Sequence, residues 1–238
     1  VIGGGPAGIV VAKFLLTEGF EPVVFERGAQ VGGQWTGEAG HSGVWPTLHT
    51  NTSRVLTAFS DLAQPSAAVF PSNAQVRSYI EDYARQFGVL ERVRCNTPVR
   101  RLRRSGLGWS VELDGGTEEF ERVVVATGRF HSPFVPDVKG LESFTGSCGV
   151  TSTYDYKEPD KYRAQRVLVA GCAVSALEIA ADLAALGAAS VAITQRRQRY
   201  VLPKFAAGVP SDHCIFTRYA TLANESLDRA EVGRQLKE

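Results

Sequence analysis

Val1-Ile2-Gly3-Gly4-Gly5-Pro6-Ala7-Gly8-Ile9-Val10-Val11-Ala12 decides the fold: an apolar strand end, then glycines spaced Gly3-x-Gly5-x-x-Gly8, then an apolar run continuing through Phe14, Leu15 and Leu16. The run is the dinucleotide fingerprint in the strand, turn and helix context that it requires. Gly3 permits the tight turn, Gly5 removes the Cβ that would hold the backbone off a pyrophosphate, and Gly8 lets the helix pack close to the strand. Pro6 and Ala7 complete the loop, and the helix N-terminus offers its N–H groups to an anion. After the helix ends at Gly19, a second apolar run, Pro22-Val23-Val24-Phe25, closes in Glu26. That acid stands near the roughly 20-residue spacing at which a carboxylate accepts from ribose hydroxyls. Outside this context Glu26 would be a surface carboxylate.

Working outward, Gly32-Gly33-Gln34-Trp35 is a second glycine turn whose amide and indole suit a flat ligand, with Trp35 as core filler the alternative. Val76, Tyr79, Ile80, Tyr83, Ala84 and Phe87 recur at helical steps, so Asn73 to Phe87 is expected to be an amphipathic helix stopped by Gly88. Val93 to Leu102, Trp109 to Leu113 and Glu119 to Phe120 are expected as short strands of a small antiparallel meander, with a turn at Asp114-Gly115-Gly116. Arg122 to Ala126 returns as a continuous apolar strand ending in Ala126-Thr127-Gly128, a small-residue turn suited to lie over a ligand.

A second strand and turn begin at Arg166-Val167-Leu168-Val169-Ala170-Gly171, followed by an Ala- and Leu-rich helix from Val174 to Leu186. The loop is degenerate, because Ala173 and Ala176 stand where the second and third glycines would. Gly171, Val174, Ser175 and Ala176 are its candidate ligand contacts. The next strand, Ser190 to Thr194, leads to Gln195-Arg196-Arg197 rather than to an acid. Arg196 and Arg197 suit a ribose 2′-phosphate, the alternative being two solvated arginines. The fold class expected is α/β, with two Rossmann-like dinucleotide-binding domains, residues 1–150 and an incomplete 151–238.

Composition sets the outer limits. With 238 residues, 44% apolar, 21% charged, and Lys+Arg 26 against Asp+Glu 25, the chain is an ordinary globular protein. No nucleic-acid partner is expected, since Arg100, Arg101, Arg103 and Arg104 flank Val99 and Leu102 as a solvated strand edge would. No stretch approaches the roughly 18–20 apolar residues of a membrane span, and no signal peptide precedes the first motif, so cytoplasm is the default location. Cys95, Cys148, Cys172 and Cys214 form no CxxC pair, which argues against a disulfide reductase. His41, His49, His131 and His213 form no metal or triad pattern and are expected to be structural or surface residues. The short first strand, the absence of Met and an amphipathic tail from Leu227 to Leu236 read as a piece of a longer protein.

The chain resembles the flavin-containing monooxygenases along almost its whole length. Beyond the glycine loops, the resemblance lies in Leu48-His49-Thr50-Asn51 with Ser53-Arg54 and Phe59-Ser60-Asp61, in Phe70-Pro71-Ser72, in Ala126-Thr127-Gly128, and in Tyr200-Val201-Leu202-Pro203-Lys204. It implies that FAD binds at the first turn and NADPH at the second, with O2 and a small molecule as substrates. It also implies oxygenation of nitrogen or sulfur through a C4a-hydroperoxyflavin. Thr50 and Asn51 are then cofactor-binding, and Asn51 is catalytic, because an amide donates to a peroxide oxygen without titrating. Without the resemblance Asn51 would be a cap or turn residue. Arg27 and Val99 join the cofactor's surroundings on the same ground. The family's FxGxxxH signature is only partly kept in Phe144-Thr145-Gly146-Ser147-Cys148-Gly149-Val150. Val150 takes the histidine's place counted from Phe144, with Tyr154 as the following aromatic; Ser152 takes it counted back from Tyr156-Lys157-Glu158-Pro159. The alternatives are another FAD/NADPH oxidoreductase, oxidase or dehydrogenase, or a flavin-binding piece without turnover.

Overall fold

A computed structural model describes residues 1–197 and 200–226, so the expected tail Leu227 to Leu236 lies outside the described residues. In chain order its helices are α1 (Pro6–Thr17), α2 (Arg54–Thr57), α3 (Asn73–Gln86), α4 (Val174–Ala185), α5 (Asp212–Ile215) and α6 (Arg218–Ser226). Its strands are β1 (Val24–Phe25), β2 (Val93–Arg94), β3 (Val99–Ser105), β4 (Gly108–Leu113), β5 (Gly116–Phe120), β6 (Arg166–Ala170), β7 (Ser190–Thr194), β8 (Phe205–Ala206) and β9 (Val209–Pro210). Packing divides the chain into two units, Val1–Leu48 with Ser72–Arg199, and His49–Pro71 with Tyr200–Glu238.

In the first unit α1 begins at Pro6, where a missing N–H is harmless because the first turn has no acceptor for it. Its Ile9 and Ala12 are fully buried. A capping box starts α3: the Gln75 N–H donates to Ser72 Oγ at 3.3 Å, and the Ser72 N–H donates to Gln75 Oε1 at 2.9 Å. That helix buries Val76, Tyr79, Ile80, Tyr83 and Ala84, the expected face. β1 pairs in parallel with β2, while Ile2 bridges Phe25 on one side and Val125 on the other, also in parallel. The stretch expected as a continuous strand before Ala126 therefore contributes a single bridge, carried by the Ile2 N–H on Val124 O and the Ala126 N–H on Ile2 O.

Val93 to Leu102 is not one strand. Pairing with β1 stops at Arg94, Asn96 adopts a left-handed φ of 52°, and β3 starts beyond Pro98. Proline has no N–H to give a ladder, and the break lets the chain wrap a turn instead: the Asn96 N–H reaches Gly28 O and the Thr97 N–H reaches Glu26 O. After it, β3, β4 and β5 form a three-stranded antiparallel sheet.

Farther along, β6 and β7 pair in parallel and α4 covers one face. Trp45, Tyr156, Tyr162, Val169, Ala176, Ile179, Ala180 and Leu183 make that core. Strand alternation turns Leu168 the other way, where it is exposed.

The second unit holds α2, the hairpin β8–β9, α5 and α6. Phe70 meets Phe205 edge-on at 5.3 Å, and buried Asp212 accepts from the Ser53 N–H at 2.5 Å.

Candidate functional site

The two glycine turns of the first unit touch. A Cβ on Gly33 would stand 2.9 Å from the Gly5 Cα, one on Gly8 would overlap the Gly3 carbonyl oxygen, and one on Gly3 would overlap the Ala126 carbonyl oxygen. Only hydrogen fits at these positions, so the surface they form is backbone. Above it opens a cleft of about 760 Å³. Of the residues expected in the site, Gly3, Gly5, Pro6, Ala7, Glu26, Arg27, Gly33, Gln34, Val99, Ala126, Thr127 and Gly128 line this cleft. Gly8 is buried at the start of α1, and half-buried Trp35 is not part of the lining.

Among the described residues no side chain caps α1, so the N–H groups of its first turn face the cleft end of the helix dipole. Glu26 organises the adjoining wall. Its Oε2 accepts from the Gly4 N–H at 2.6 Å and its Oε1 from the Gly28 N–H at 2.7 Å, and the residue is buried. The Gly32 N–H donates to Gly4 O at 2.9 Å, which completes the link between the turns. The Cys95 thiol is held above its usual range, first by burial and then by the Glu26 charge.

Further lining residues escaped the sequence reading, among them Gly28, Gln30, Thr36, Glu38, His41, Thr97, Pro98 and His131. His41 and His131, expected as structural or surface residues, lie on the cleft wall. Each follows a glycine turn by a few residues, the one signal that could have found them. Arg129 and Phe130 continue the same wall.

The second turn stands apart from that lining. Gly171 takes a φ of +133°, and the Ala176 Cβ lies 3.7 Å from the point where a Gly171 Cβ would be, an ordinary contact. Val174 and Ser175 are exposed at the start of α4, and Arg196 and Arg197 are exposed just beyond β7. The signature segment is used structurally. Val150 is exposed, and Ser152 Oγ accepts from the Tyr154 N–H at 3.2 Å. The Tyr154 ring packs on Gly43, leaving no room for a Cβ there. Lys157 Nζ donates to Ser42 O at 2.7 Å and to Val44 O, and burial lowers its pKa.

In the second unit Asn51 is exposed on a pinned turn. The Thr50 N–H donates to Pro71 O, Thr50 Oγ1 donates to Thr52 O at 2.7 Å, and Lys204 Nζ donates to Thr50 O at 3.1 Å. Ser53 Oγ lies 2.9 Å from His213 Nε2. Among the described residues no group of His, Cys, Asp or Glu could hold a metal ion, and no helix is long and apolar enough to cross a membrane.

The flavin-binding monooxygenase-like family model matches residues 1–237. The chain is similar to flavin-containing monooxygenase 5 of Cavia porcellus, 31% identical over 260 residues, covering 100% of this chain and 48% of that protein. It spans about half the length of the curated relatives that it matches. Among solved structures, S-allyl-L-cysteine S-oxygenase from Allium sativum is similar at 29% identity and a TM-score of 0.73, covering 87% of this chain and 53% of that one. A bacillithiol disulfide reductase from Staphylococcus aureus, at 20% identity and a TM-score of 0.70, covers 94% of this chain and 62% of that one, and shares the α/β fold alone.

Proposed function

The chain belongs to the flavin-binding monooxygenase-like family, and from that premise we propose that it forms the cofactor-binding part of an FAD- and NADPH-dependent monooxygenase. The reaction proposed places one oxygen atom of O2 on a nucleophilic nitrogen or sulfur of a small molecule. One observation carries the reading: a cleft walled by the two glycine turns and by Ala126-Thr127-Gly128 at the N-terminus of α1. Backbone without Cβ atoms fits the close approach of a pyrophosphate, and Thr97 to Val99, which also line the cleft, fit a flat base.

FAD, when bound, would supply a two-electron store able to take hydride from NADPH and to react with O2. The protein's part is to hold and orient. Gly3, Gly5, Pro6, Ala7 and the first turn of α1 would take the pyrophosphate, and Glu26, Arg27, Gly33, Gln34 and Gly128 the flanking groups. Residues 1–150 are assigned to FAD. Residues 151–238 are assigned to NADPH, with Gly171, Val174, Ser175 and Ala176 at its pyrophosphate and Arg196 and Arg197 at its 2′-phosphate. Asn51 is assigned the amide that donates to oxygen on the reacting face. Its setting supports this, since a turn tied to Pro71, Lys204 and Asp212 presents a side chain in one place.

A second reading, an oxidase that releases peroxide, is favoured by one feature. Ser152 caps its own turn and Val150 is exposed, so neither supplies the imidazole of the signature. The two separate in one experiment: NADPH oxidation by the FAD-loaded protein under air, with a tertiary amine or a thioether. Oxygenated product equal to NADPH consumed supports the first reading, peroxide alone the second, and flavin binding without NADPH use removes both.

A further inference from the structure

We infer that His213 is a positioning residue for the reaction, acting through Ser53 on the turn that presents Asn51. This rests on the assignment of Asn51 above and adds to it a residue from a distant segment of the same unit. Asn51 is exposed, whereas Thr50 and Ser53 on either side are 5% and 1% exposed. An amide that must meet a reacting oxygen from an exposed turn is placed only as well as the backbone beneath it.

That backbone is held at several points. The Thr50 N–H donates to Pro71 O at 2.9 Å, and Lys204 Nζ donates to Thr50 O at 3.1 Å. The Thr52 carbonyl accepts from Thr50 Oγ1 at 2.7 Å and from Thr57 Oγ1 at 3.2 Å. On the far side the Ser53 N–H donates to Asp212 Oδ2 at 2.5 Å, and Ser53 Oγ lies 2.9 Å from His213 Nε2. Consecutive residues of α5 thus hold Ser53 by its backbone and by its side chain. One hydrogen bond restrains a distance; two, made to different atoms, restrain an orientation.

Ser53 gives up a local bond for this contact. It stands at the N-cap of α2, where a serine hydroxyl ordinarily accepts an N–H of the first turn, yet its side chain caps nothing and meets His213 instead. His213 is itself exposed, so it reaches from the surface to a buried hydroxyl. Its removal takes one hydrogen bond from the Asn51 turn and opens no cavity in the core.

The test compares wild type, Asn51→Ala, His213→Ala, Ser53→Ala, the double variant of the last two, and His213→Gln. Each FAD-loaded protein is assayed for oxygenated product and peroxide from NADPH and a thioether. Hydrogen exchange of the Ser53 and Arg54 amides is followed in the flavin-free proteins. His213→Ala is expected to keep the flavin binding, thermal unfolding and KM of wild type. Its kcat for product should fall about tenfold, with peroxide in its place, and exchange at Ser53 and Arg54 should rise. Ser53→Ala should match it, the double variant should lose no more than either, and His213→Gln, which keeps a hydrogen-bonding group near Ser53, should recover product. Wild-type product yield or unchanged exchange in His213→Ala, or additive losses in the double variant, overturns the inference. The Asn51 assignment then still stands if Asn51→Ala loses product. Asn51→Ala equal to wild type, or a wild type that forms no product, overturns that assignment and the inference with it.

Discussion

Replacing Glu26 by Gln tests whether that carboxylate is a structural residue before it is a ligand. Each of its oxygens accepts one backbone N–H, at 2.6 and 2.7 Å, inside the first unit. A glutamine keeps one acceptor but turns an amide N–H2 toward the other donor. One charge-assisted bond worth about 1.5–3 kcal/mol is lost, and its buried N–H, from Gly4 or Gly28, is left without a partner. The surviving bond weakens from charged to neutral. A loss of about 3 kcal/mol is therefore expected, and at about 2–4 °C per kcal/mol for a chain of this size the melting temperature should fall by about 6–12 °C. Thermal unfolding followed by circular dichroism without flavin reads this directly, with Glu38→Gln as the matched control of identical charge change. A Glu26→Gln protein that melts within about 1 °C of wild type would refute the reasoning, because two buried charge-assisted bonds cannot be worth so little.

Gly8→Ala should abolish flavin binding and lower expression of soluble protein, since its Cβ would overlap the Gly3 carbonyl and push α1 from the glycine turn; normal flavin titration would contradict the geometry. Tyr156 is buried, its hydroxyl has no hydrogen-bond partner among the described residues, and burial, followed by the charges of Asp182, Tyr162 and Asp160, pushes its pKa up to about 12. Because the folded value exceeds the ordinary 10.0, the stability it contributes is complete below that pH and is lost as pH rises towards about 12. Tyr156→Phe should flatten that alkaline decline, measured by denaturant titration across the range, and should cost little or add about 1 kcal/mol at neutral pH. Asp212→Ala should cost about 2 kcal/mol and raise hydrogen exchange at Ser53 and the α2 amides, because the buried Ser53 N–H loses a charged acceptor; unchanged protection there would count against it.

What the sequence disclosed was local. The glycine spacing, the periodicity of α3, the Ala-rich run of α4 and the apolar runs of β6 and β7 each announce an element from residues a turn apart, where backbone geometry dominates. What it withheld depended on distant segments. The break at Asn96-Thr97-Pro98 arises because the backbone there bonds to Glu26 and Gly28, some seventy positions earlier, which no local pattern encodes. For the same reason the spacing of Glu26 does not disclose that its oxygens also hold the Gly4 and Gly28 N–H groups. Glu38 carries no spacing signal, and His41 and His131 carry only their place after a glycine turn; the closure of the wall brings all three to the cleft.

The backbone floor at Gly3 and Gly33 has a consequence for how such a site varies. Where a methyl group cannot be admitted, selection has no substituents to try, so that part of the cleft is closed to gradual adjustment. Differences in affinity between descendants of this chain must then arise along the walls, at positions such as Gln34, Glu38, His41, Arg129 and His131, where a changed side chain leaves the floor intact.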